Sequence, residues 1–146
     1  PPNQITLLGY SGGGVMAALL AAARTDIARL VTIAAPLDVH EWTARKSMSQ
    51  IVGSLSTMQF LGALQRIPQL HFAGERDESV DVATIRSFVD ALRREEAEQS
   101  AAGGGADLQL PVKLRVLPAA NHSDWPALWR ALVPEVDSIP SANAEQ

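Results

Sequence analysis

Four short apolar runs punctuate the chain, at residues 5–8, 30–34, 69–73 and 112–117. Runs of that length, rich in Ile, Leu and Val and bounded by Gly, Pro or Asp, predict strands. The run at 30–34 (Leu-Val-Thr-Ile-Ala) is almost wholly apolar, the pattern of a central parallel strand covered on both faces. Between the runs the period changes. Residues 12–24 are rich in alanine, with Met16, Leu19 and Leu20 for bulk, and predict a helix that lies close on a sheet. Ile85, Phe88, Val89 and Leu92 stand at i, i+3, i+4 and i+7, one apolar helix face. The charged stretch 93–98 continues it as a solvated end. Residues 125–133 predict a last helix, with Ser123 or Asp124 as its cap.

The least regular part is 36–68, which begins and ends on proline. Ser56-Thr57-Met58-Gln59 has capping-box spacing and predicts a helix over 57–66. An insert placed after a strand serves as a pocket wall or lid, or as a satellite core under a long loop; its Trp42, Met48, Met58 and Phe60 fit either role. Residues 99–107, with Gly103-Gly104-Gly105, read as a flexible loop, and 138–146 as a frayed tail. Strands alternating with helices give an α/β fold, a parallel sheet flanked by helices, over residues 1–137.

Composition narrows the function classes. The chain has 146 residues, 47% hydrophobic and 19% charged, with a net charge of −4 and a pI of about 5.3. No basic patch points to nucleic acid. No apolar run approaches the ~20 residues of a membrane span. The absence of cysteine removes disulfides, thiolate metal sites and a cysteine nucleophile.

The candidate chemistry is concentrated after the first apolar run, in Leu7-Leu8-Gly9-Tyr10-Ser11-Gly12-Gly13-Gly14. Ser11 is the centre of a G-x-S-x-G between a strand and a helix. A serine on such a turn has a strained backbone and an exposed hydroxyl, and Gly9 and Gly13 remove side chains that would collide. The competing reading is a phosphate-binding turn, with Asp38 as a ribose-binding acid; the order here, G-x-x-G-x-G, is not the dinucleotide G-x-G-x-x-G. A serine hydroxyl needs a base to take its proton, and that base needs orienting. Open α/β sheets place such groups at the carboxyl ends of their strands. Asp77 lies in the turn after the third run, and His122 in the loop after the fourth.

Gly9 to Gly13, the turn Gly74-Glu75-Arg76-Asp77-Glu78-Ser79-Val80, and His122, in that order, resemble the C-terminal half of an α/β-hydrolase-fold enzyme. The resemblance covers the chain up to its tail. It implies the last four strands of that fold, with the chain beginning inside the larger sheet. It implies a serine hydrolase acting on a small-molecule ester or related acyl bond. Ser11 is then the nucleophile, His122 the base, Asp77 the acid and Gly12 an oxyanion-hole donor. Tyr10, beside the nucleophile, and Trp42, in the insert, are candidate substrate-pocket residues. No cofactor or metal is implied. The family's His-Gly loop, which donates a second oxyanion N–H, has no counterpart here. The first strand is then a bare edge, open to a missing N-terminal half or to self-association. Asp38 also follows a strand, where some family members take their acid, and is the rival acid. Among the other histidines, His71 reads as a packed mid-strand residue and His40 has no strand end to place it. Glu75 and Glu78 read as solvated turn residues. The alternative function is a non-catalytic α/β-hydrolase-like binding module, or a truncated inactive fragment.

Overall fold

The computed structural model describes residues 5–103 and 111–142. Among them, β1 (Ile5–Tyr10), β2 (Ile27–Ile33), β3 (Gln69–Gly74) and β4 (Val112–Leu117) form one parallel sheet in sequential order. Leu7 pairs with Leu30, Leu30 with Gln69, and Gln69 with Val112. Parallel neighbours need crossovers, and the helices provide them. These are α1 (Gly12–Ala23), α2 (Val39–Arg45), α3 (Leu61–Leu64), α4 (Val82–Ala101) and α5 (Trp125–Asp137).

Side chains alternate across the sheet, so successive residues of β2 serve opposite cores. Leu30 faces a core built from Ala17, Ala18 and Ala21 of α1, Leu64 and Ile67 of the insert, and Phe88, Val89 and Leu92 of α4. Val31 and Ile33 join Leu70 and Phe72 under Trp125, Leu132 and Val136 of α5. The sheet is thus covered on both faces, as the apolar run at 30–34 predicts. Burying a side chain the size of Phe72 or Phe88 stabilises by roughly 1.5–3 kcal/mol, and both are fully enclosed.

Several expected boundaries move. β1 runs to Tyr10 and β2 starts at Ile27, because register pairing carries the ladder through the polar Arg29 that interrupts the apolar run. The helix expected over 57–66 breaks into a 3-10 turn, Thr57–Gln59, and the single turn α3. The Thr57 hydroxyl donates to the Leu37 carbonyl, and Phe60 leaves helical geometry at φ −122°, ψ 20°. α4 continues to Ala101, so the first residues of the expected loop 99–107 are helical; residues 104–107 lie outside the described part. α5 passes through Pro134 to Asp137. The expected tail is held as far as Ala142: Ile139 is buried against the α5 core, and the Ala142 N–H donates to the Ala28 carbonyl at 3.2 Å. Its last four residues are outside the described part. Among the described residues no helix is long and apolar enough to cross a membrane.

Candidate active site

The turn after β1 is where backbone sterics are tightest. Ser11 has φ 51° and ψ −126°, a region a non-glycine residue occupies at a cost of order 1–3 kcal/mol. The Ser11 N–H is tied to the Ile33 carbonyl at 2.8 Å, and the Ser11 carbonyl accepts from Gly14 N–H at 2.9 Å. A Cβ on Gly9 would fall on the Gly13 carbonyl, with Gly14 Cα at 2.6 Å. This explains why the turn can only be built on glycine there. Gly12 is the first residue of α1, so its N–H has no intrahelical acceptor.

Two further carboxyl-end loops converge on the same place. After β3 the chain turns sharply at Gly74, where a Cβ would collide with the Ala120 carbonyl of the loop after β4. The Arg76 N–H donates to that same carbonyl at 3.0 Å. The loop after β4 is closed by Asp124, whose Oδ2 accepts from the Asn121 N–H at 2.8 Å. Asp124 is the N-cap residue of α5, as expected, but its side chain makes no cap bond and ties the turn that holds His122 instead. Ala119, in this loop, is also strained, at φ 62°.

The result is one hydrogen-bonded chain. His122 Nε2 lies 3.1 Å from Ser11 Oγ, and His122 Nδ1 lies 2.8 Å from Asp77 Oδ2. The carboxylate accepts, so Nδ1 donates and Nε2 is left to accept from the serine hydroxyl. Asp77 Oδ1 accepts from the Ser79 and Val80 N–H groups at 2.9 and 2.8 Å. The Asp77 side chain has no exposed surface, whereas that of His122 is 25% exposed. Tyr10 donates its hydroxyl to the His122 carbonyl at 2.6 Å and sets its ring 5.1 Å from the imidazole. Burial first, and the Asp77 charge second, hold the Tyr10 hydroxyl above its ordinary pKa.

The rival groups are engaged elsewhere. Asp38 caps α2 through Oδ1, at 3.0 Å from the Glu41 N–H, and its Oδ2 accepts from the Ser87 hydroxyl at 2.7 Å. His71 is fully buried in β3 between Thr32 and Gln69, and burial pushes its imidazole down to about 3. Gln69 donates its amide to the Leu64 carbonyl, so its Oε1 faces the His71 Nε2–H and Nδ1 accepts from Thr32. His40 is exposed on α2, as are Glu75 and Glu78 in the acid turn. Trp42, half-buried in α2, packs onto the acid turn. Its indole N–H donates to the Ser79 carbonyl at 2.8 Å and its ring packs with Ala73, Val80 and Ile85. The insert turns it onto the acid turn, a tertiary contact that local sequence does not encode. Lys46, which donates to the Glu78 carbonyl, carried no sequence signal. Among the described residues no cluster of three or more His, Cys, Asp or Glu groups could hold a metal ion.

No family model and no curated protein matches the chain. Solved structures do. A serine hydrolase homologue from Coxiella burnetii superposes with a TM-score of 0.56 at 21% identity, over 92% of this chain and 49% of that one. An esterase from Pyrococcus furiosus gives 0.59 at 15%, over 90% and 52%. An acetyl ester-xyloside bifunctional hydrolase from Caldicellulosiruptor lactoaceticus gives 0.57 at 18%, over 92% and 53%. The chain shares the α/β-hydrolase fold and spans about half the length of the structures it matches.

Proposed function

We propose that this chain carries the catalytic residues of a serine hydrolase that cleaves an ester or related acyl bond. The observation that supports it most is the continuous Ser11–His122–Asp77 chain, at 3.1 and 2.8 Å, with the serine on a strained strand-to-helix turn. The fold shared with hydrolases and esterases supports the reaction class.

In this reading Ser11 Oγ attacks the substrate carbonyl carbon while His122 Nε2 takes the hydroxyl proton. The new Oγ–C bond makes a tetrahedral oxyanion, which the Gly12 N–H at the positive end of α1 stabilises. As the carbonyl reforms, the bond to the leaving group breaks and His122 hands it the proton. Water then repeats the sequence on the acyl-enzyme, giving the carboxylic acid and restoring Ser11. Asp77 holds the Nδ1–H tautomer and stabilises the imidazolium that forms in each half-reaction. Tyr10, exposed beside Ser11, flanks the acyl group. No step requires a metal or cofactor.

A second feature shapes the proposal. β1 is an edge strand with Ile5, Leu8 and Tyr10 exposed. We propose that this edge is covered in the working enzyme by further strands or by a second copy, which would also supply the second oxyanion donor. The test of the reaction class is treatment of the intact protein with a fluorophosphonate, with the adduct mapped by mass spectrometry. A single adduct on Ser11, absent in Ser11→Ala, is expected. An adduct elsewhere, or equal labelling of Ser11→Ala, rejects it. Absence of labelling favours the non-catalytic binding module.

A further inference from the structure

We infer that Trp42 and Lys46 are positioning residues for Asp77, acting through two peptide units of the turn that carries it. The inference rests on the role proposed for Asp77 and adds a part of the molecule to it. Asp77 Oδ1 is held by two N–H groups, of Ser79 and Val80. The Ser79 N–H belongs to the peptide unit whose carbonyl is that of Glu78. The Val80 N–H belongs to the unit whose carbonyl is that of Ser79. Both of those carbonyls are taken from behind by the insert: Lys46 donates to Glu78 and Trp42 to Ser79.

Each peptide unit is therefore gripped at both ends, by a donor on its oxygen and by the carboxylate on its hydrogen. A donor on the carbonyl fixes the amide plane and polarises the unit, which strengthens the N–H as a donor. The plane sets where Oδ1 sits, and Oδ1 sets the angle at which Oδ2 meets His122 Nδ1. The grip is itself anchored. α2 begins on Asp38, which is bound to Ser87 of α4, and ends against the acid turn. Trp42 is packed with Val80 and Ile85. Arg45, between the two gripping residues, reaches past the turn to Asp81, the N-cap of α4, at 3.0 Å. Its side-chain hydrogen bonds go to Asp81 and Glu41 and to neither peptide unit, so it is the natural control.

The test compares Trp42→Phe, Lys46→Met, the double variant, Lys46→Arg and Arg45→Met with the unaltered intact protein. Two readouts are used: the rate of fluorophosphonate labelling at Ser11, and the downfield proton NMR resonance of the His122 Nδ1–H bonded to Asp77. The double variant is expected to label about tenfold more slowly, since small misplacements of a catalytic group cost that much or more, and to lose the resonance to exchange with water. Lys46→Arg, which keeps a donor, is expected to retain both, and Arg45→Met to leave both unchanged. Should the double variant fail to fold, Lys46→Met alone carries the test with about threefold slower labelling and a broadened resonance. Folded Trp42→Phe and Lys46→Met proteins with unaltered labelling and resonance overturn the inference, as does an equal loss in Arg45→Met. If the unaltered protein does not label at Ser11, the proposed function fails. The resonance, which needs no reactive serine, then decides the inference by itself.

Discussion

Asp77 and Ser11 stand at the two ends of one hydrogen-bonded chain in opposite surroundings. Asp77 lies off β3, a strand paired on both sides, and every residue of β3 is buried. Its carboxylate is enclosed, bonded to two N–H groups, and backed by an insert helix. Ser11 lies off β1, at the edge of the sheet, with Leu8 46%, Tyr10 43% and Met16 67% exposed around it. One end is finished by contacts within the chain and the other presents apolar surface to solvent. On the proposed function, the difference makes orienting the base and binding the substrate separable structural tasks. The hydrogen bonds that hold Asp77 and His122 all lie among the described residues, whereas the apolar surface at β1 is open.

The largest effect that can break this contrast is at the acid. Asp77→Asn keeps the shape and favours the wrong imidazole tautomer, and turnover is expected to fall about 10⁴-fold with folding intact. Asp38→Asn is expected to lose less than about tenfold in turnover and little stability, since Asn caps a helix about as well as Asp. Turnover of p-nitrophenyl butyrate and thermal melting of both variants check this. The opposite pattern would move the acid to Asp38 and dissolve the comparison.

Next come the two glycines that close the loops. Gly9→Ala meets several backbone atoms at once, whereas Gly74→Ala meets mainly one carbonyl. We expect losses of about 2–4 kcal/mol, the larger at Gly9, in urea unfolding. Equal or reversed losses would mean that the turn at Ser11 is no more tightly built than the acid turn.

A smaller effect separates the interior of the acid side by pH. His71 is pushed down to about 3 by burial, from an ordinary 6.5. As pH falls through 6.5 the unfolded chain binds the proton first, so stability drops until about pH 3, below which both states carry it. The slope for one group is about 1.4 kcal/mol per pH unit, or roughly 2 kcal/mol between pH 6.5 and 5. Unfolding measured across that range should steepen accordingly, and His71→Gln should flatten it; an unchanged slope in the variant would refute the assignment.

The smallest effect is at the open edge. The 146-residue chain is expected to associate through β1, and Leu8→Lys, which places a charge on that edge, to shift sedimentation toward the monomer. A monomeric unaltered chain at the same concentration would show that the edge is not sticky.

What was legible in the sequence was local. Ser11 and Gly13, then Asp77, then His122, each follow a strand within a few residues, and strand ends of a parallel sheet share one side. The fold followed from the same alternation. What was illegible depended on distant contacts. The indole N–H of Trp42 grips Ser79, 37 residues away, a contact that no local pattern announces. Asp124 stands at the N-cap of α5 as expected, but its side chain ties its own loop. Ile139 was expected in a loose tail, and only the position of α5 over Phe72 gives it a core to enter. Apolar periodicity records which face of an element is buried, but an irregular insert has no face to record.

The hydroxyl of Tyr10 on the His122 carbonyl joins residues 112 apart in the chain, while the sheet pairs only consecutive strands. This has a kinetic consequence. Each strand can dock on the one before it by closing a modest loop, but Ser11 and His122 meet only after all four have done so, since chain closure over longer spans carries a growing entropic cost. During refolding the helices and the tryptophan-lined core should therefore mature first, and the reactive serine last. Competence to react with a fluorophosphonate would then mark the final step of assembly.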